Sequence, residues 1–141
     1  MEAKRASLIL EKLNASSRNT LMEQLEIVYC AVGDDFLEAS MPVTAKVHQP
    51  MGILHGGATA ALVESVASAA SALKIDLHTH YSVGMELSIN HLSSVRSGQI
   101  IARAEAIHLG RSTHLWDIKV RESNGKLVAV SRLSMMVLEK S

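Results

Sequence analysis

Gly56-Gly57-Ala58-Thr59-Ala60-Ala61-Leu62-Val63-Glu64-Ser65-Val66-Ala67-Ser68-Ala69-Ala70-Ser71-Ala72-Leu73 is the stretch that decides how this chain folds. Apart from Thr59, Glu64, Ser65, Ser68 and Ser71, every residue in it is small or apolar. Alanine has the highest helix propensity, and after the two leading glycines nothing interrupts the run. The stretch predicts one helix over about residues 56–73. It is apolar on nearly every face, the mark of a helix enclosed by its neighbours.

Outward from that helix, the texture changes on both sides. Downstream of His78-Thr79-His80, Val83, Met85, Leu87 and Ile89 alternate with polar or small residues, predicting a strand over about 82–92. Ser97-Gly98 turns the chain into a strand over about 99–108, and Gly110 breaks that run. A strand over about 113–121 follows, with Trp116, Ile118 and Val120 on its inward face. Asn124-Gly125 predicts a type I′ hairpin into a strand over about 127–138. Upstream, Leu8, Ile9, Leu10 and Leu13 among charges predict an amphipathic helix over about 4–13. Asn19-Thr20 followed by Glu23 offers a further helical turn. Strands over about 25–32 and 36–43 are joined by Gly33-Asp34-Asp35, and Cys30 reads as a small core residue of the first. The sum is an α+β layer fold, an antiparallel sheet of five to six strands with one central helix. One helix cannot cover such a sheet, and an alanine-rich surface suits close approach of another backbone, so self-association is expected.

A length of 141 residues fits a single domain with a core of its own. Lys plus Arg and Asp plus Glu both number 14, so no basic field exists to hold nucleic acid or an anionic membrane. The single cysteine fits a reducing compartment, and Met1-Glu2-Ala3-Lys4-Arg5 opens no secretory signal, which predicts a cytoplasmic protein. Walker, G-x-G-x-x-G, G-x-S-x-G, Cys-x-x-Cys and H-E-x-x-H patterns are all missing. His78 and His80 lack a third ligand, so no metal is expected. His48 and His114 read as ordinary polar positions, and Trp116 as core.

Two features carry chemistry. Glu64 is the only charge between Lys46 and Lys74. It reads either as a glutamate on a solvent-facing stripe with Ser68 and Ser71, or as a carboxylate at the base of an apolar pocket acting as base or nucleophile. The second feature is Gln49-Pro50-Met51-Gly52-Ile53-Leu54-His55-Gly56-Gly57. Glycines at a helix start leave free N–H groups where the macrodipole favours negative charge, as in an oxyanion hole; the same residues also suit a plain tight loop.

Gln49, His55-Gly56-Gly57 and Glu64, followed by long strands, resemble the hotdog-fold acyl-CoA thioesterases. The likeness is to the 4-hydroxybenzoyl-CoA thioesterase branch that uses a glutamate, nearest to the 1,4-dihydroxy-2-naphthoyl-CoA hydrolases and the enterobactin-pathway proofreading thioesterases. It extends over Val83–His91, Ile107–Gly110, Trp116 and Asn124-Gly125, and so over nearly the whole chain. The resemblance implies Glu64 as nucleophile or general base and the Gly56 N–H as the group polarising the thioester carbonyl, with Gln49 binding nearby. It implies that His55 orients the loop, that Ser68 contacts the attacking water or the acyl group, and that His91 lies near the thioester. Gly84, His91-Leu92-Ser93-Ser94 and His108-Leu109-Gly110-Arg111-Ser112-Thr113 match segments that bind coenzyme A. This chain reads Arg111-Ser112 where a serine followed by a basic residue belongs, which leaves the individual phosphate contacts open.

The resemblance further implies an aromatic acyl-CoA substrate, no cofactor beyond the coenzyme A of that substrate, and a homodimer with shared sites that pairs into a tetramer. Alternatives are a proofreading enzyme acting on an acyl-carrier protein, and a non-catalytic acyl-thioester binding module.

Overall fold

The computed structural model describes residues 1–141. Helix α1 is Ala3–Ser16, α2 the single turn Leu21–Gln24, and α3 the long helix Gly56–Ala72. The strands are β1 (Val28–Val32), β2 (Phe36–Pro42), β3 (His80–His91), β4 (Gln99–Leu109), β5 (Thr113–Glu122) and β6 (Leu127–Glu139). They form one antiparallel sheet in the order β1-β2-β4-β5-β6-β3, and α3 packs on it. This is the expected α+β hotdog architecture, a sheet wrapped on one helix.

The core lies between α3 and the inward face of the sheet. Leu62, Val63, Val66, Ala67 and Ala70 of α3 are buried against Leu37, Ala39 and Met41, Ile100, Ala102 and Ala104, and Trp116, Ile118 and Val120. Ala39 sits opposite Ala102 in the β2–β4 register, so small side chains let the helix approach the sheet closely. Each fully buried large aliphatic contributes about 1.5–3 kcal/mol. On the opposite flank α3 is open. Seven of its 17 residues are buried, while Ala61, Ser65, Ser68 and Ala72 are half-buried and Glu64 is exposed. The helix is therefore enclosed on one side only, where sequence predicted enclosure all round.

The two sheet edges are treated differently. The Asn14 side chain of α1 accepts from the Tyr29 N–H at 2.9 Å and donates to its carbonyl at 3.0 Å, serving as a short surrogate neighbour for β1. β3 has no such cover. Its 12 residues pair only with β6 and leave a long open edge.

Four expectations are corrected by local backbone detail. The first strand begins at Val28 rather than Leu25, because Leu25 caps α2 and Glu26 turns the chain at φ 56°. Cys30 is exposed, because Tyr29 takes the inward position opposite Ala39 and alternation turns the next residue outward. The β3–β6 register shifts between Gly84 and Glu86. That bulge gives Gly84 the inward position opposite Met135 and turns Val83 outward opposite Met136, so the simple alternation fails. The Asn124-Gly125 turn is not type I′, because Gly125 has φ +92° and Asn124 is not in the left-handed region. Gly125 N–H donates to Glu122 O at 2.8 Å and Glu122 N–H to Lys126 O at 2.9 Å, closing a three-residue loop with glycine in the bulge position.

Candidate active site

The N-terminus of α3 presents one unpaired donor. His55 is the N-cap, and its Nδ1 accepts from the Gly57 N–H at 2.8 Å. Its carbonyl accepts from Ala58 at 3.0 Å and Thr59 at 3.3 Å. The first four N–H groups of a helix have no partner inside it. Three of the four are thus taken locally, and the Gly56 N–H alone has none. His55 is held in turn by donating its N–H to Val47 O at 2.8 Å.

Gln49 stands beside that donor because the loop folds back on it. Gln49 N–H donates to Ile53 O at 2.8 Å, and Gly52, at φ +75°, donates to Gln49 O at 2.9 Å. The Met51 N–H donates to Gln49 Oε1, which leaves the Gln49 NH₂ as the free end of the amide. From β3 comes His91: a Cβ on Gly56 would lie 2.9 Å from its Nε2. A cavity of about 290 Å³ opens here, lined among others by Gln49, Gly56, His91, Leu92, Ser93 and Ser94. A fixed N–H on a helix axis, with an amide donor alongside, can stabilise negative charge growing on a carbonyl oxygen.

Glu64 lies elsewhere. Two turns along α3, it is exposed and has neither hydrogen-bond nor ion-pair partner. Its Oε1 hangs over the bare backbone of Gly84, where a Cβ would fall 2.6 Å away. Ser68 is one turn further, with Oγ 3.8 Å from Met135 Sδ. Both line a groove of about 390 Å³ between α1 and α3, together with Leu13, Met22, Tyr29 and Ala69. Tyr29 donates to Ser65 O at 3.2 Å, and burial pushes its hydroxyl up to about 12, so it is a neutral donor at ordinary pH.

His108 to Thr113 form the β4–β5 hairpin at the same end of the sheet as Gly84. Leu109, His114, Met135 and Gly84 make one row across β4, β5, β6 and β3. The hairpin is closed by Gly110 N–H donating to Thr113 O and pinned by Val137 N–H donating to Ser112 O, both at 2.8 Å. Arg111 is exposed and forms no ion pair. These six residues line neither of the two cavities described.

One chain therefore assembles two half-sites. Gln49, His55, Gly56 and His91–Ser94 gather at one end of α3. Glu64, Ser68 and Gly84 gather further along, towards the end that carries the 108–113 hairpin. Eight residues separate Gly56 from Glu64, about 12 Å along the helix axis, too far for one carbonyl to touch both.

His114 was misjudged from sequence. It is buried, with Nδ1 3.0 Å from Ser71 Oγ, which also accepts from Trp116 Nε1 at 2.7 Å. Its signal was present, since it shares the period-2 face of Trp116, Ile118 and Val120. Ser71 is likewise buried rather than on a solvent stripe. No group of three His, Cys, Asp or Glu side chains is close enough to hold a metal, and no helix is long and apolar enough to cross a membrane.

Comparison with known proteins supplies the family. Residues 51–129 match the model of the thioesterase superfamily. The proofreading thioesterase EntH of Cronobacter sakazakii is 44% identical over 93% of this chain and 95% of its own length. The crystal structure of a mutant of the thioesterase PA1618 from Pseudomonas aeruginosa superposes with a TM-score of 0.91, at 47% identity over 93% of this chain and 94% of that one. The thioesterase HI1161 of Haemophilus influenzae gives 0.89 at 42% identity, covering 92% of this chain and 90% of that one. With this fold, an unpaired N–H at the head of its central helix and such relatives, the chain belongs to the thioesterase superfamily, as a hotdog-fold thioester hydrolase.

Proposed function

We propose that this enzyme hydrolyses aromatic acyl-CoA thioesters at sites shared between two copies of the chain. The observation that carries the reading is the Gly56 N–H, the one donor the cap of α3 leaves unpaired. A thioester carbonyl accepting from it and from the Gln49 NH₂ gains electrophilicity, and negative charge on its oxygen is stabilised as a nucleophile adds. Loss of one such donor typically costs about 10²–10³ in kcat.

The carboxylate comes from the second copy. Antiparallel pairing of two β3 edges sets the His91 end of one chain beside the Gly84 end of its partner. That geometry brings the partner's Glu64 and its coenzyme-binding segments, Gly84 and 108–113, to the Gly56 N–H of the first. Glu64 either attacks the carbonyl carbon itself, giving an acyl–glutamyl anhydride that water then hydrolyses to the free acid and the regenerated carboxylate, or takes a proton from the attacking water, with Ser68 one turn away on the same face. The C–S bond breaks, and coenzyme A leaves as a thiolate that takes up a proton. Apolar Leu13, Met22 and Ala69 beside Glu64 support an apolar acyl group. The chemistry needs no metal and no cofactor.

Complementation tests the shared site. Glu64→Ala and Gln49→Ala are each expected to be crippled alone. Co-refolded, about half the dimers are mixed and each carries one intact site, so roughly a quarter of wild-type sites return. Mixed dimers with no activity above either parent would overturn the arrangement. The 44% identity to a proofreading thioesterase favours a second reading, in which the acyl group rides on an acyl-carrier protein. Turnover of one aryl group on coenzyme A against the same group on the carrier separates the two.

A further inference from the structure

Glu64, Ser68 and Ser71 stand at i, i+4 and i+7 and so form one stripe along α3. Beneath that stripe runs the row Gly84, Met135 and His114 of β3, β6 and β5. The pairs meet in order: Glu64 over Gly84, Ser68 with Met135, Ser71 with His114. The first two contacts exert no directional hold, one being a carboxylate over bare backbone and the other an oxygen–sulfur approach. Elsewhere along α3 the side-chain hydrogen bond from another element is that of Tyr29 to the Ser65 carbonyl, longer at 3.2 Å. Only the third contact is a short hydrogen bond, and it is buried.

Hydrogen-bond accounting fixes its polarity. An indole N–H only donates, so Ser71 Oγ accepts from Trp116. The Ser71 hydroxyl proton then has one acceptor within reach, His114 Nδ1, because it makes no bond back to its own helix. His114 is thus neutral with its proton on Nε2, and burial, helped by His108, lowers its proton affinity in agreement.

We propose that Ser71, His114 and Trp116 form a clamp that sets the rotation and axial position of α3 and thereby holds Glu64 over Gly84, so that all three are positioning residues for hydrolysis. The proposal rests on the reading of Glu64 as the reacting carboxylate. Ser71 and Glu64 are about 10.5 Å apart on one uninterrupted helix, which transmits a shift at one to the other. A displacement of about 1 Å at a reacting group can cost 10²-fold in rate.

The test uses the full chain and benzoyl-CoA. Ser71→Ala and His114→Leu are expected to lower kcat about fivefold or more, with KM within about threefold of wild type. His114→Asn offers Oδ1 where Nδ1 stood and is expected to restore kcat to about threefold or more above His114→Leu. Emission of Trp116, the only tryptophan, is expected to shift in Ser71→Ala. A folded Ser71→Ala that loses less than this in kcat, a loss confined to KM, or an asparagine variant no better than leucine overturns the clamp. Should the truncations fail to fold, nitrogen NMR of His114 in wild type decides, and a proton on Nδ1 at neutral pH overturns it. Glu64→Gln run alongside separates the two ideas. Activity in that variant refutes the reading of Glu64, whereas its inactivity beside an unimpaired Ser71→Ala refutes the clamp alone.

Discussion

The two ends of α3 use the same backbone for opposite purposes. At the N-terminus a half-buried glycine leaves its N–H unpaired beside a cavity, and the flanking His91 is exposed. Near the C-terminus Ser71, His114 and Trp116 are buried, and no buried side-chain polar atom in the molecule lacks a partner. An unpaired buried donor costs about 1–3 kcal/mol. The protein leaves a donor unpaired only where a ligand or water can reach it. The Gly56 donor is open to an incoming ligand, whereas the Ser71 cluster is closed on itself.

The sharpest way to break that contrast is Glu64→Gln. The change keeps the shape and removes both base and nucleophile, so kcat falls by about 10² or more with KM little altered. Because the carboxylate has no hydrogen-bond or ion-pair partner, the melting temperature stays near that of wild type. A variant keeping more than about a tenth of wild-type kcat would make Glu64 structural.

Gly84→Ala comes next in size. Its Cβ would fall 2.6 Å from Glu64 Oε1, and the nearest atom outside Glu64 is Leu133 Cδ1 at 3.8 Å. The methyl has room once the carboxylate swings aside. The expected result is a fall of about tenfold in kcat with melting nearly unchanged. Equal kcat in Gly84→Ala and wild type would show that the carboxylate reacts from some other position.

How much of this was legible depends on whether the deciding interaction is local. The central helix was, because alanine speaks for itself through propensity; the observed Gly56–Ala72 differs by one residue from the reading. The inward face of β5 was also legible, since Trp116, Ile118 and Val120 alternate as expected and are buried. Val83 and the loop at Asn124 were misread for one physical reason. A bulge is a mismatch in count between two strands, and one strand's own sequence does not carry its partner's count. In the candidate site, Gln49, Gly56 and His91, which the resemblance implied around the thioester, line one cavity. Glu64 was left open between a solvent-facing stripe and an apolar pocket; within one chain it is exposed, because the open flank of α3 faces no other part of the same chain. His114 was read as an ordinary polar position although its alternation with Trp116 marked the inward face; what its own strand could not show is the serine 43 residues earlier that holds it.

A smaller effect bears on the two half-sites. Activity should be indifferent to strong chelators, since neither half-site gathers three metal-binding side chains. Loss of turnover on chelation, restored by zinc or iron, would overturn this.

The smallest effect follows from His114 and is read in stability rather than rate. Burial, with His108 as the lesser cause, holds its proton affinity below the ordinary histidine value. The folded state therefore prefers the neutral ring, whereas the unfolded chain takes up a proton near pH 6.5. Between the lowered folded value and the ordinary one, the unfolded state binds more protons, so stability rises with pH across that window. The contribution is fully present above about pH 6.5 and is lost as the pH falls through the folded value. His114→Asn removes the titration and keeps an acceptor for Ser71, so it isolates this one group from carboxylates that titrate lower. Melting curves from about pH 8 to 5 are expected to show wild type losing more on acidification than the asparagine variant, the two diverging below about 6.5. Parallel curves would mean that the ring accepts a proton in place, with the Ser71 bond rearranged around it.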